Sequence, residues 1–155
     1  MIAEFEGGDA DTAFRAYALG LRHKHLPEMR AHCGLVHPPI FLPAVANVYR
    51  GMLGEVGLPL TALSRELSLA AIEAALAEAY EVSPIVRVAP ADAAHVRIEE
   101  DAGTDRVTLR VFGNAEAGQA RLVATYDNLG KGAGGAAVQN LNIMAGVEQT
   151  TGLVL

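Results

Sequence analysis

The sequence predicts an α+β domain: a mixed, largely antiparallel sheet covered by helices. Three observations point there. Stretches with strand character outnumber stretches of helical period. Two of the strand-like stretches flank a glycine-bounded turn at residues 113–118, as in an antiparallel hairpin. The predicted order β-α-β-β-α-β-β-β-β-α, with no linker to mark a second domain, favours an antiparallel or mixed sheet covered by helices.

The elements follow in order. Residues 1–6 are a short leading strand or a loose end, and Gly7-Gly8-Asp9-Ala10-Asp11 is a loop. Residues 14–19 read as a strand. Pro27 fits the first position of a helix and pushes Leu26 away from helical geometry. That helix runs to about Cys33 and stops at Gly34. His37-Pro38-Pro39 enforces an extended entry into a strand at residues 40–42. Residues 51–60 read as a strand weakened by its glycines. Ser68 can cap the clearest helix, residues 69–81, whose Ala/Leu/Ile pattern has helical period. Residues 85–88, 95–98, 107–112 and 121–126 read as strands, and a helix over 132–144 closes the chain.

Composition bounds the function. At 155 residues the chain is one domain's worth, and 51% hydrophobic with 19% charged residues fits a globular protein. A net charge of -6 argues against a nucleic-acid or membrane-surface binder. No apolar run approaches the ~20 residues that span a bilayer. The single cysteine, Cys33, cannot form an internal disulfide, and the acidic N-terminus does not look like a signal peptide. A cytoplasmic location is expected.

Chemistry concentrates in two strings. The first is Tyr17 to Met29, centred on His23-Lys24-His25. Pro27 keeps it out of a helix, so an extended chain is expected, with His23 and His25 on one side and Lys24 on the other. Histidine both takes and gives a proton near neutrality. A structural role, anchoring the following helix, is the plain alternative. His23, His25, His32, Cys33 and His37 fall close together, but the spacing matches no standard zinc pattern, and no metal is expected. Cys33 reads as a buried small apolar residue.

The second string is Asp127-Asn128-Leu129-Gly130-Lys131-Gly132 and the small-residue helix after it. It is neither a Walker A loop nor a dinucleotide fingerprint. The glycines would let the last helix pack closely against a neighbour. Asn128 offers a carboxamide with both donor and acceptor. Lys131 could meet a ligand charge or stay solvated. Arg50 could clamp an acidic group or tie two strands together.

These strings, with Phe41-Leu42-Pro43 and Arg50-Gly51-Met52-Leu53, resemble the N-acetyl-gamma-glutamyl-phosphate reductases. That family runs Y-x5-H-[RK]-H-x-P-E-[IM], then F-x-P and R-G-[IM]-L, and ends on D-N-L-x-K-G-A-x-G-x-A-V-Q-x-x-N. The match extends from Tyr17 to the end and begins midway through the family's usual sequence. The resemblance implies a fold like the C-terminal domain of glyceraldehyde-3-phosphate-dehydrogenase-like reductases. It implies NADPH-dependent reduction of N-acetyl-gamma-glutamyl phosphate to N-acetylglutamate semialdehyde in arginine biosynthesis, through a cysteine thioester.

It further implies His23 as the acid/base partner of the nucleophile. His25, Tyr17 and Arg50 fall to the substrate, although Tyr17 could equally be a buried ring with a tethered hydroxyl. Asn128 and Lys131 fall to the cofactor. Residues 1–130 would form the substrate-binding, catalytic and dimerisation domain. Residues 131–155 would pack on a nucleotide-binding half that is missing here, as is the G-C-[FY]-x-T setting of the nucleophile. The 155-residue chain alone is therefore expected to be inactive, and a homo-oligomer is expected. A non-catalytic binding or assembly module is the alternative.

Overall fold

The computed structural model describes residues 12–63 and 67–155. The expected leading strand and the loop after it lie outside the described residues. The chain divides into two compact units, Met1–Tyr49 and Arg50–Leu155.

The first unit holds a two-stranded antiparallel sheet and a short helix. Strand β1 (Phe14–Ala16) pairs with β2 (Ala44–Ala46), with Arg15 opposite Val45. The expected strand at 14–19 is cut short, because Ala18 and Leu21 adopt positive φ (53° and 54°) and fold the chain into a turn. The strand expected at 40–42 forms instead at β2. Pro38, Pro39 and Pro43 have no N–H to donate, so regular pairing starts after the last of them. Helix α1 (Leu26–His32) has Pro27 in its first turn and ends at Cys33, with Gly34 at φ +63°, the left-handed stop that glycine supplies. Leu26, expected outside this helix, is its first residue, held by a bond from its N–H to His23 O (3.1 Å).

The second unit is a four-stranded sheet in the order β3-β6-β5-β4: β3 (Met52–Pro59), β4 (Val86–Val88), β5 (Val107–Asn114) and β6 (Gln119–Tyr126). β6 pairs antiparallel with both β3 and β5, and β4 runs parallel to β5. The sheet is thus mixed and largely antiparallel, as expected. The hairpin is also present, with longer strands and a tighter turn than the glycines suggested. Asn114 Oδ1 accepts from Ala117 N–H (3.0 Å), and Gly118 turns at φ +60°.

Residues 95–98 do not form the expected strand. The alternation there is real, but the backbone that follows is spent on successive turns: Glu100 N–H to Arg97 O, Ala102 N–H to Glu99 O and Thr104 N–H to Asp101 O. Helix α2 (Leu69–Ala79) begins at Ser68, whose Oγ accepts from Ala71 N–H (3.1 Å). Its Ile72 packs with Val111 and Ala120 of the sheet, flanked by Leu58, Leu76 and Leu122. This apolar cluster is the core of the unit.

By the strand period, Thr108 and Thr125 lie on the opposite face of the sheet from Val111. They are register partners, fully buried, and both donate to Asp101 (3.1 and 2.6 Å). At that end of the face the buried Asp101 carboxylate, rather than a helix, lies against the sheet. The chain ends in a π-helical turn (Gly130–Gly134) that leads into α3 (Gly135–Ala145). The tail after α3 returns to Asp105: Asp105 N–H donates to Val154 O (2.6 Å), and Val154 N–H donates to Asp105 Oδ2 (2.9 Å).

Candidate functional site

The histidine string of the first unit is a turn, not an extended strand. The bond from Leu26 N–H to His23 O bends the chain into α1, which begins at Leu26 with Pro27 in its first turn. The two imidazoles nonetheless meet, with ring centroids 4.7 Å apart. His23 sits at the centre of a ring cluster. Tyr17 lies edge-on at 5.8 Å and Phe41 edge-on at 5.0 Å. His23 Nδ1 accepts from His25 N–H (3.3 Å). His23, Tyr17 and Phe41 are half-buried and His25 is exposed. Phe41 had no assigned role; its place in the F-x-P string was the available signal. Cys33, expected to be buried, is exposed at the end of α1, which has no buried residue to cover it.

The second unit brings Arg50, Asn128 and Lys131 onto one framework, organised by a residue the sequence reading passed over. The Asp127 carboxylate is fully buried. Its Oδ1 accepts from Leu129 N–H (2.8 Å) and Gly130 N–H (3.0 Å), and its Oδ2 accepts from Gly103 N–H (2.6 Å). Arg50 Nε lies 3.1 Å from the same Oδ2. Burial opposes the charge of this carboxylate. The three backbone donors and the Arg50 guanidinium outweigh that, and hold it below the usual aspartate range. Next to it, burial raises the Tyr126 hydroxyl above its ordinary value.

Asn128 is fixed by its oxygen. Its Oδ1 accepts from Gly51 N–H (2.9 Å), so residues 50–51 and 127–128 are stapled just beyond the last β3–β6 pair, Met52 with Tyr126. Gly51 is required there: it sits at φ +118°, and a Cβ would come within 2.3 Å of Ile98 O. Among the described residues nothing accepts from Asn128 Nδ2. Lys131 Nζ donates to Gln139 Oε1 (2.5 Å), and Gln139 in turn donates to Gln149. Lys131 is thus anchored to α3, with further donor capacity on its ammonium. Among the described residues no group of three or more His, Cys, Asp or Glu side chains could hold a metal ion. No helix there is long and apolar enough to cross a membrane.

Residues 2–128 match the family profile described as semialdehyde dehydrogenase, dimerisation domain. The chain belongs to this family. It is 43% identical over 155 residues to N-acetyl-gamma-glutamyl-phosphate reductase 2 of Nostoc sp. (strain PCC 7120 / SAG 25.82 / UTEX 2576), covering 96% of this chain and 48% of that protein. It is 48% identical over 154 residues to the N-acetyl-gamma-glutamyl-phosphate reductase of Brucella anthropi, covering 94% of this chain and 50% of that protein. The reductase of Trichormus variabilis is 42% identical over 155 residues, at 96% of this chain and 48% of the relative. The chain thus spans about half the length of the curated relatives it matches. The α+β architecture, with its mixed sheet, is that of the semialdehyde dehydrogenase dimerisation domain.

Proposed function

We propose that this chain serves an NADPH-dependent N-acetyl-gamma-glutamyl-phosphate reductase, which forms N-acetylglutamate semialdehyde in arginine biosynthesis. The observation that carries the reading is similarity to such reductases along 96% of the chain, through both functional strings. In this reading the chain works in the cytoplasm as part of a homo-oligomer, in keeping with the family description.

His23 handles the proton of the reacting group. Its ring is held edge-on by Tyr17 and Phe41, which limits its rotation. His25 and Tyr17 border the acyl-phosphate substrate. Arg50 presents positive charge to an anionic group, with Asp127 fixing its Nε. Asn128 fits a nicotinamide carboxamide through Nδ2, because its oxygen is already taken by Gly51. When bound, NADPH supplies the hydride. Lys131, tethered through Gln139, lends charge to a cofactor phosphate. The exposed Leu141, Ile143 and Met144 of α3 give this helix an apolar surface for a nucleotide-binding half.

A chimera tests the reading. This chain replaces the corresponding half of the Brucella anthropi reductase, and NADPH oxidation is followed with the acyl phosphate. Activity is expected, and His23→Asn should lower turnover by roughly two to four orders of magnitude, the scale of general acid–base catalysis. A folded chimera with no activity, or a His23→Asn variant with normal turnover, refutes it.

A further inference from the structure

We propose that Gln149 of the C-terminal tail positions Lys131 by way of Gln139. A lysine ammonium can only donate. Its bond to Gln139 (2.5 Å) therefore turns the Gln139 oxygen toward Lys131 and leaves Nε2 on the far side of the amide. There Nε2 finds an acceptor, Gln149 Oε1 at 2.9 Å. The direction of each bond in this chain thus follows from the charge at its head, and all three side chains are half-buried. The tail is held in place independently. Gln139 and Asn142 lie three apart on α3 and share a face. The helix ends at Gly146, whose φ of +70° reverses the chain, and Val147 N–H bonds to Asn142 O (3.0 Å). The buried Asn142 side chain then donates from Nδ2 to two carbonyls of the returning tail, Gln149 O (3.2 Å) and Thr151 O (2.8 Å). Further on, Val154 and Asp105 are joined by two bonds. The backbone of Gln149 is therefore fixed without help from its side chain, which can offer Gln139 an acceptor at a set place.

The consequence for function rests on the reading of Lys131 as a contact for a cofactor phosphate. A lysine carries its charge on a flexible stem, and an untethered one gives up side-chain entropy when it meets an anion. Held by Gln139, the Lys131 ammonium is placed beforehand, with donor capacity to spare. Loss of Gln149 removes the contact that sets the Gln139 amide, and so loosens Lys131. Gln149 is a positioning residue: it acts through Gln139 and Lys131 rather than on substrate or cofactor.

Two measurements decide it. On the whole 155-residue chain, nitrogen relaxation reads the mobility of the Lys131 ammonium, whose signal is assigned by its absence from Lys131→Met. Gln149→Met keeps the length of the side chain and removes the acceptor. It should make the ammonium more mobile and shift the Gln139 amide signals; unchanged ammonium mobility overturns the proposal. In the active chimera, NADPH is titrated directly. Gln149→Met should weaken its binding roughly two- to five-fold, the scale of an exposed charge contact, with turnover and acyl-phosphate affinity retained. In a Lys131→Met background the same substitution should add nothing. A tail residue that only supports the fold would weaken binding equally in both backgrounds, and that result overturns the proposal. So does normal NADPH binding by Gln149→Met where Lys131→Met binds weakly. If Lys131→Met itself binds NADPH normally, the reading of Lys131 as a cofactor contact fails, and the ammonium mobility alone decides whether Gln149 holds it.

Discussion

Asp127→Asn should be among the most damaging single-atom changes in this protein. The substitution keeps the shape of the side chain and removes its charge. The amide can still place its oxygen at Oδ1, against Leu129 and Gly130 N–H. Its NH2 group then faces Gly103 N–H and Arg50 Nε, donor against donor. The reverse flip orphans the other pair of donors. Hydrogen bonds to a buried charge contribute about 1.5–3 kcal/mol each, and breaking a buried charged network costs about 3–5 kcal/mol. Arg50 is 38% exposed, so solvent screens its share, and most of the loss comes from the backbone donors. We therefore expect a loss of about 3–5 kcal/mol at neutral pH, read by denaturant unfolding.

The pH dependence fixes the sign. Asp127 titrates lower in the folded state than its ordinary 3.8. A depressed carboxylate stabilises the fold above the unfolded pKa, and that contribution is lost as pH falls through the folded value. The gap between wild type and Asp127→Asn should accordingly be widest near neutrality and narrow below about pH 4. A variant within ~1 kcal/mol of wild type at pH 7, or a gap that does not narrow in acid, would refute the argument, since either outcome means the charge is not what the three amides hold.

Two further substitutions test the same framework. Gly135→Ala places a Cβ 1.7 Å from Asp105 Oδ1, so the α3 start or the 105 turn must move; a loss of roughly 1–3 kcal/mol is expected by thermal or denaturant unfolding, and a neutral effect would show that this approach is loose. Asn128→Ala, in the active chimera, should weaken NADPH use by roughly 1–3 kcal/mol through one lost buried hydrogen bond, with a smaller change toward the acyl phosphate. Because Asn128 also holds Gly51, titration of each ligand separates the cases, and equal weakening of both would mean a folding defect.

Local chemistry was legible in the sequence. The Ser68 cap, Pro27 at the start of α1, Gly34 at its end and the β5–β6 hairpin all appeared where short-range rules put them. The histidine string was legible as a cluster even though its backbone was misjudged. Residues 23 and 25 stay close in a turn as in a strand, so the ring contact survives the error. Residues 95–98 were misread because alternation says only which side chains suit a sheet. Whether a strand forms depends on where the backbone bonds go, and here the chain spends them in turns leading to Asp101.

The acidic residues mark the deeper limit. Asp101, Asp105 and Asp127 are buried, and each gathers partners from distant segments: Thr125 for Asp101, Val154 for Asp105, and Gly103 and Arg50 for Asp127. An aspartate destined for the interior looks, in sequence, like one destined for solvent. What distinguishes it is the arrangement of donors around it: threonine hydroxyls for Asp101, and for Asp105 and Asp127 mainly backbone amides, which every residue but proline has. The glycines of the tail gain their reason from the same source. Close helix packing was the expected motive, yet a Cβ at Gly135 would strike Asp105, and one at Gly130 would come within 2.5 Å of Thr104 O. The small residues make room for a carboxylate-centred scaffold, and that scaffold in turn sets the position of Asn128 and Arg50. The informative feature of the tail was therefore its first residue as much as its glycines: an aspartate at the end of a strand, ahead of a turn rich in free amides, is where such a centre can form.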